Sequence, residues 1–275
     1  MLTDVDILYA GLSWVKYDKK TLEKSSFERN ERRFVSKFGI GVHAVEAMLK
    51  DLRMKYPDVN YRDSMMAMNW LKSYETFQSM ESSWDRCREH IGARVKDYVE
   101  KIASLKILKI KFGEFEDDEV IILTVDGVNF ITEEFRMDPH RKWFDHKSKS
   151  SGLKYEFAIS LRKPALIWIN GPFPASKHDL TVFRGGNKET KRDDWDHNAL
   201  YWKMPEGTKA IGDSGYAGQD DKMIIYRQEH SAEFKKFLGR VKNWQETLHS
   251  RLKSFNVLKN CFQHGQGTAS KMTFH

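Results

Sequence analysis

The spacing of apolar residues divides the chain into a helical first part and a strand-rich second part. From Gly41 onward, Val42, Val45, Met48, Leu49 and Leu52 recur every three to four residues, as on one face of a helix, until Pro57 stops the run. Met65, Met66, Met68, Trp70 and Leu71 mark a second helix. A third, longer helix is predicted to begin with Ser82 or Ser83 as its N-cap and to carry Trp84, Ile91, Val95, Tyr98, Ile102 and Leu105. Residues 1–35 show little periodicity and hold the charged run Glu28–Arg33, so the pattern predicts a poorly ordered lead-in there and a helical region over 36–105.

Beyond residue 106 the texture changes to short runs rich in β-branched and aromatic residues. Strands are predicted over Leu105–Phe112, Glu119–Phe130, Tyr155–Leu161 and Ala165–Asn170, the last ending at Gly171-Pro172. Ser176-Lys177-His178-Asp179 supplies capping side chains for a short helix, Leu180–Phe183. The polar stretch Gly185–Asn198 reads as a surface loop, and Lys209–Gly212 reads as one more strand. A last helix is predicted over Ser231–Leu258, with Phe237, Val241, Trp244, Leu248, Leu252 and Phe255 as its apolar stripe. Residues 106–275 therefore form an α/β domain behind the helical region.

Two of these strands end in the same way. Val120–Val125 is followed by Asp126-Gly127, and Lys209–Gly212 by Asp213-Ser214-Gly215. Taken singly, Asp126-Gly127 is also a strong hairpin-turn signal. The repetition favours a different reading, in which two buried strands hold two carboxylates rigidly and glycine lets a ligand or backbone come close. The last helix region is basic, with Lys235, Lys236, Arg240, Lys242, Arg251, Lys253 and Lys259 against the single acid Glu246. Glu246 has two readings: an ion-pair partner for Lys242 one turn earlier, or a third metal ligand among phosphate-binding cations.

Composition narrows the field only modestly. The 275 residues carry 46 Lys and Arg against 39 Asp and Glu, a net charge of +7, which makes a polyanionic partner plausible. Two cysteines without a CxxC spacing give neither a disulfide framework nor a zinc site, and point to a reducing, intracellular setting. No apolar run long enough for a membrane span or signal peptide opens the chain, so a soluble protein is expected. Gly-rich phosphate loops, GxSxG and HExxH are absent. Arg86, Arg88 and Arg94 on neighbouring helices suggest a helix-turn-helix that contacts DNA.

Six motifs in order carry a more specific message: Val125-Asp126-Gly127-Val128-Asn129-Phe130, Trp143-Phe144-Asp145-His146-Lys147, Gly152-Leu153-Lys154-Tyr155-Glu156, Asn170-Gly171-Pro172-Phe173-Pro174, His178-Asp179-Leu180-Thr181-Val182-Phe183-Arg184 and Ile211-Gly212-Asp213-Ser214-Gly215-Tyr216. Together they resemble the Harbinger-type DDE superfamily of transposase endonucleases, most strongly over residues 120–260. The resemblance implies a ribonuclease-H-like fold, a mixed sheet flanked by helices. It further implies that Asp126, Asp213 and Glu246 are catalytic and together bind two divalent ions, Mg²⁺ or Mn²⁺, with Glu229 or Glu233 as substitutes for the third acid. Hard oxygen ligands suit those ions, and an ion pair suits phosphodiester cleavage.

The resemblance also implies DNA as the substrate, strand transfer within a transposition reaction, nuclear residence, a separate Myb-like DNA-binding partner protein and room for a homo-oligomer. Lys242, Arg251 and Lys253 are then expected on the DNA backbone. Lys147 has two readings, a phosphate contact or an exposed loop lysine. His178 and Asp179 are expected as a cap or support beside the metal ligands. Asn129 stands where the family often carries His, and the chain ends at His275 where relatives continue. These departures set the alternative: an inactive, truncated or host-adopted relative that binds DNA or protein.

Overall fold

In the computed structural model, residues 3–113, 115, 119–134, 138–163 and 165–262 are described. The described residues separate into two compact units: one runs to Lys109 and includes Lys253–Asn260, the other is Ile110–Leu252 with Cys261 and Phe262.

The first unit is helical. Its elements are α1 (Asp4–Trp14), α2 (Lys19–Glu23), α3 (Phe27–Phe38), α4 (Val42–Lys55), α5 (Tyr61–Ser73), α6 (Phe77–Trp84), α7 (Arg88–Ala103) and α8 (Lys106–Lys109), joined by the short helix Asn256–Lys259. The stretch 1–35, expected as a poorly ordered lead-in, holds α1, α2 and most of α3. Thr3 and Asp6 form a reciprocal capping box that starts α1, and Asp18 and Ser26 cap α2 and α3. Only four of the twelve residues of α3 are apolar, yet Phe34 and Phe38, one turn apart, are fully buried, as are Leu8 and Leu12 of α1. Few apolar positions, correctly spaced, are enough to seat a helix when a neighbour covers them.

The long third helix expected from Ser82 is two helices. Asp85 takes a left-handed conformation (φ 52°, ψ 47°) that closes α6, and the next helix restarts after Cys87. The break places Trp84 in the core, where its indole Nε1 donates to Asn69 at 3.1 Å while Arg62 donates to the Trp84 carbonyl at 2.7 Å. Leu105–Phe112, expected as a strand, begins instead with a buried Leu105 tied to Ile102 and continues into α8. Of the basic patch, Arg88 pairs with Glu89 and Arg94 with Asp63 and Asp97.

The second unit is a mixed sheet flanked by helices, the ribonuclease-H-like arrangement. Its strands are β1 (Ile121–Ile131), β2 (Phe144–Asp145), β3 (Ser150–Ser160), β4 (Leu166–Pro174), β5 (Lys209–Ile211) and β6 (Met223–Ile224). The order is β2-β3-β1-β5-β6, with β4 also paired to β3. β1, β3 and β4 are antiparallel, whereas β5 and β6 run parallel to β1. The parallel connections require crossovers, supplied by α9 (Asp179–Arg184) and α10 (Leu200–Lys203) between β4 and β5. After β6 comes α11 (Ala232–Lys253).

Two apolar layers hold the sheet. Leu180, Phe183, Leu200, Tyr201 and Tyr216 pack with Leu123, Val125 and Ala210, while Leu238 and Val241 of α11 pack on Ile211. β4 does not stop at Gly171-Pro172, contrary to the sequence pattern. It is a terminal strand that pairs only with β3, so the missing N–H of Pro172 breaks no central ladder. No helix among the described residues is long and apolar enough to cross a membrane.

Candidate active site beyond the parallel strand pair

Asp126 is not a turn residue. β1 runs on through Gly127 to Ile131, and Asp126 sits mid-strand opposite Phe157 of β3. On the other side, β5 pairs with β1 only as far as Thr124↔Ile211. Side chains two apart on an extended chain share a face. Asp126 lies two residues beyond Thr124, and Asp213 two beyond Ile211 in still-extended backbone (φ −80°, ψ −174°). Register thus sends both carboxylates out on one side where β5 ends.

Their proximity shows in their electrostatics. Asp126 is pushed up to about 6, first by burial and then by the charges of Asp213 and Asp179; the Gly127 N–H, at 2.8 Å from Oδ1, and Lys147 act the other way. Asp213 itself is exposed and accepts from the Gly215 N–H at 2.7 Å.

Asp179, the first residue of α9, is held between these two strands' ends. A Cβ on Gly127 would lie 2.3 Å from its Oδ1, and one on Gly215 would lie 3.1 Å from its Oδ2. A side chain at Gly127 would therefore displace the carboxylate, and one at Gly215 would crowd it and Asp213. Lys154 of β3, almost buried, donates from Nζ to Asp179 Oδ1 at 2.8 Å. His178 caps the helix, its Nδ1 accepting from the Leu180 N–H at 3.3 Å. Lys154 was not among the residues expected from the sequence. A lysine two residues before a glutamate within one strand was the available signal.

A second buried acid lies behind the first. Glu156, opposite Gly127, is 1% exposed; Trp168 donates to its Oε1 at 3.0 Å, and Oε2 has no hydrogen-bond partner. Burial, reinforced by Asp179, pushes its carboxyl up to about 8. The Tyr216 hydroxyl, fully buried among Glu156, Asp179, Asp126 and Asp213, is pushed well above its ordinary range.

Glu246 does not join the aspartates. It is 63% exposed and lies 3.7 Å from Lys242, the ion-pair geometry open to it from the sequence. Among the described residues, Asp126, Asp213 and Glu246 do not present ligand atoms all within 4.8 Å of one another; the group that does is Asp4, His43 and Glu46 of the helical unit. α11 faces β1 with Gln245 and His249 instead. Gln245 is buried and donates to Thr124 Oγ1 at 3.5 Å, and His249 Nδ1 lies 3.8 Å from Asp126 Oδ2. One helical turn thus runs alongside two strand residues. The expected stripe through Phe237 and Trp244 is rotated by about one residue, because Leu238, Val241 and the polar Gln245 are the buried positions. Lys242, Arg251 and Lys253 are exposed.

Lys147 is exposed on the β2–β3 loop, and its charge reaches Asp126. That loop is fixed by Asp145, which accepts from the Lys147 and Ser148 N–H groups at 3.0 and 3.2 Å and from the Asn129 side chain.

The donor set is all oxygen and the aspartates crowd one another, so the residues fit a hard divalent cation. No curated protein matches the chain. A family profile described as DDE superfamily endonuclease matches residues 125–274, beginning one residue before Asp126 and covering Asp126, Asp179, Asp213 and α11. On that match, over more than half of its length, the chain belongs to the DDE superfamily endonucleases.

Proposed function

We propose that this chain is a metal-dependent DNA endonuclease of the Harbinger type, cleaving phosphodiester bonds and joining strands in a transposition reaction. The observation that carries the reading is the register match of Asp126 and Asp213 beyond the parallel pair β1–β5. Asp126 and Asp213, with Glu246 from α11, would hold two Mg²⁺ or Mn²⁺ ions, whose charge would supply Lewis-acid activation of the attacking oxygen and stabilise the leaving one. For Glu246 the support is positional: it precedes His249, which lies near Asp126, by three residues on α11, and its partner Lys242 is a solvent-exposed lysine whose pairing is weak.

The chain's own groups have defined tasks in this reading. Asp179, paired with Lys154, keeps the two strand ends at a fixed spacing without offering its Oδ1 to a ligand. Lys147 on the β2–β3 loop and Lys242, Arg251 and Lys253 on α11 contact phosphates. A nuclear location, a Myb-like partner for target recognition and a homo-oligomer accompany the reading as parts of the same transposase hypothesis.

A second reading, an inactive DNA- or protein-binding relative, is favoured by one feature: His249, not Glu246, faces Asp126. Titration calorimetry with Mn²⁺ and cleavage of a labelled duplex separate the two. The enzyme reading expects ion binding and nicking by the wild type, both lost in Asp126→Ala and Asp213→Ala, and nicking lost in Glu246→Gln. Mn²⁺ binding without nicking, unaffected by Glu246→Gln, would support the inactive relative.

A further inference from the structure

The β2–β3 hairpin presents aromatic groups to solvent beside the acid pair. Phe144 is 37% exposed, and the exposed His146 meets it edge to face with ring centroids 5.3 Å apart. An exposed phenylalanine alone needs no explanation. This one stands on a tip that is pinned from two sides. Between the two rings, Asp145 is buried and binds the loop N–H groups and the Asn129 side chain, three residues along β1 from Asp126. At the base of the hairpin, the Lys142 carbonyl accepts from both the N–H and the hydroxyl of Ser176, three residues before Asp179. The rings are thus fixed relative to the carboxylates.

Charge completes the surface. Arg141, Lys147 and Lys149 are exposed along the same segment, and Lys147 is the cation that reaches Asp126. Flat aromatic groups interleaved with cations match a nucleic acid whose bases are unstacked: the cations meet phosphates and a ring meets the face of a base, whatever its identity. A base inside an intact duplex offers no face to such a ring.

We infer that the hairpin tip Phe144–Lys149 binds an unpaired nucleotide beside Asp126 and Asp213, with the tip's cations on its phosphate and Phe144 stacking on its base. The inference rests on the nuclease reading and adds a substrate class to it: DNA that is single-stranded or frayed beside the cleaved bond.

The test uses the full chain in EDTA, so that no cleavage occurs, and a fluorescein-labelled duplex with a single-stranded 3′ tail compared with its blunt form. The wild type should bind the tailed duplex about tenfold more tightly, within the range of one base–aromatic stack. Phe144→Ala should lose that preference while binding the blunt duplex as before, and Phe144→Trp should keep it. A 2-aminopurine in the tail should be quenched by the wild type and not by Phe144→Ala. Equal tail preference and quenching in wild type and Phe144→Ala would overturn the inference and leave the nuclease reading standing. Failure of the wild type to bind either duplex would count against the nuclease reading itself. If Phe144→Ala alters the elution volume of the protein and not its tail preference, the tip is a protein-binding surface and the inference is wrong.

Discussion

Replacing Glu156 by glutamine should stabilise the protein at alkaline pH. Glu156 is 1% exposed, with Trp168 on one oxygen and nothing on the other, so its charged form has lost water and gained a single hydrogen bond. Its carboxyl titrates near 8 in the fold and at 4.5 as an ordinary glutamate. Between those values the folded chain holds a proton that the unfolded chain has released, so stability falls as pH rises through this window. Each pH unit is worth about 1.4 kcal/mol, which places the full loss at about 5 kcal/mol, complete above pH 8. Glutamine matches the neutral acid in shape, keeps an acceptor for Trp168 and cannot ionise. Urea unfolding at pH 5, 7 and 9 should therefore show wild type and Glu156→Gln within about 1 kcal/mol at pH 5, and the variant ahead by several kcal/mol at pH 9. A stability difference independent of pH, or a variant weaker than wild type at pH 9, would refute the argument.

Lys154→Met should lower thermal stability by about 1–3 kcal/mol, since it leaves Asp179 partly buried without its cation; the double variant Lys154→Met/Asp179→Asn should recover much of that loss, and an uncorrected melting temperature would argue against the pair. Gly127→Ala places a methyl group 2.3 Å from Asp179 Oδ1. Circular dichroism should show the fold retained, with Mn²⁺ affinity lowered by about tenfold or more, and an unchanged affinity would show that Asp179 does not set the spacing. Because Asp126 titrates near 6, Mn²⁺ binding should strengthen between pH 5 and 7 as its proton leaves, and an NMR titration of the Asp126 carboxyl in metal-free Asp213→Asn should show it lowered by removal of the neighbouring charge; an unmoved carboxyl would refute that coupling.

The aspartates could be picked out in the sequence because each follows a short apolar run and has a glycine within the next two residues. The later part of the helical region was equally clear, where Val42, Val45, Leu49 and Leu52 line one buried face. α3 was not, since Phe34 and Phe38 are the two buried apolar positions of a charged dodecamer, and the helices packed on them make those positions core. The break at Asp85 also belongs to packing, since Ser82, Ser83 and Trp84 could equally open a helix or close one.

What the sequence by itself determined was the division into a helical part and a strand-rich part, and the placement of two carboxylates at the ends of short apolar runs that could pair. Alternation along a strand is a local property, so it survives without knowledge of the partner. Tertiary structure alone decided that Asp126 lies within a continuing strand, because only the short β5 beside it ends there. It alone brought Lys154 to Asp179, through the pairing of β3 with β1 and the crossover to α9. It also fixed the rotation of α11, turning Gln245 and His249 toward β1 and leaving Glu246 on the flank. Helical periodicity gives the angle between residues of one helix, whereas the angle between that helix and a sheet is set by the packing of both.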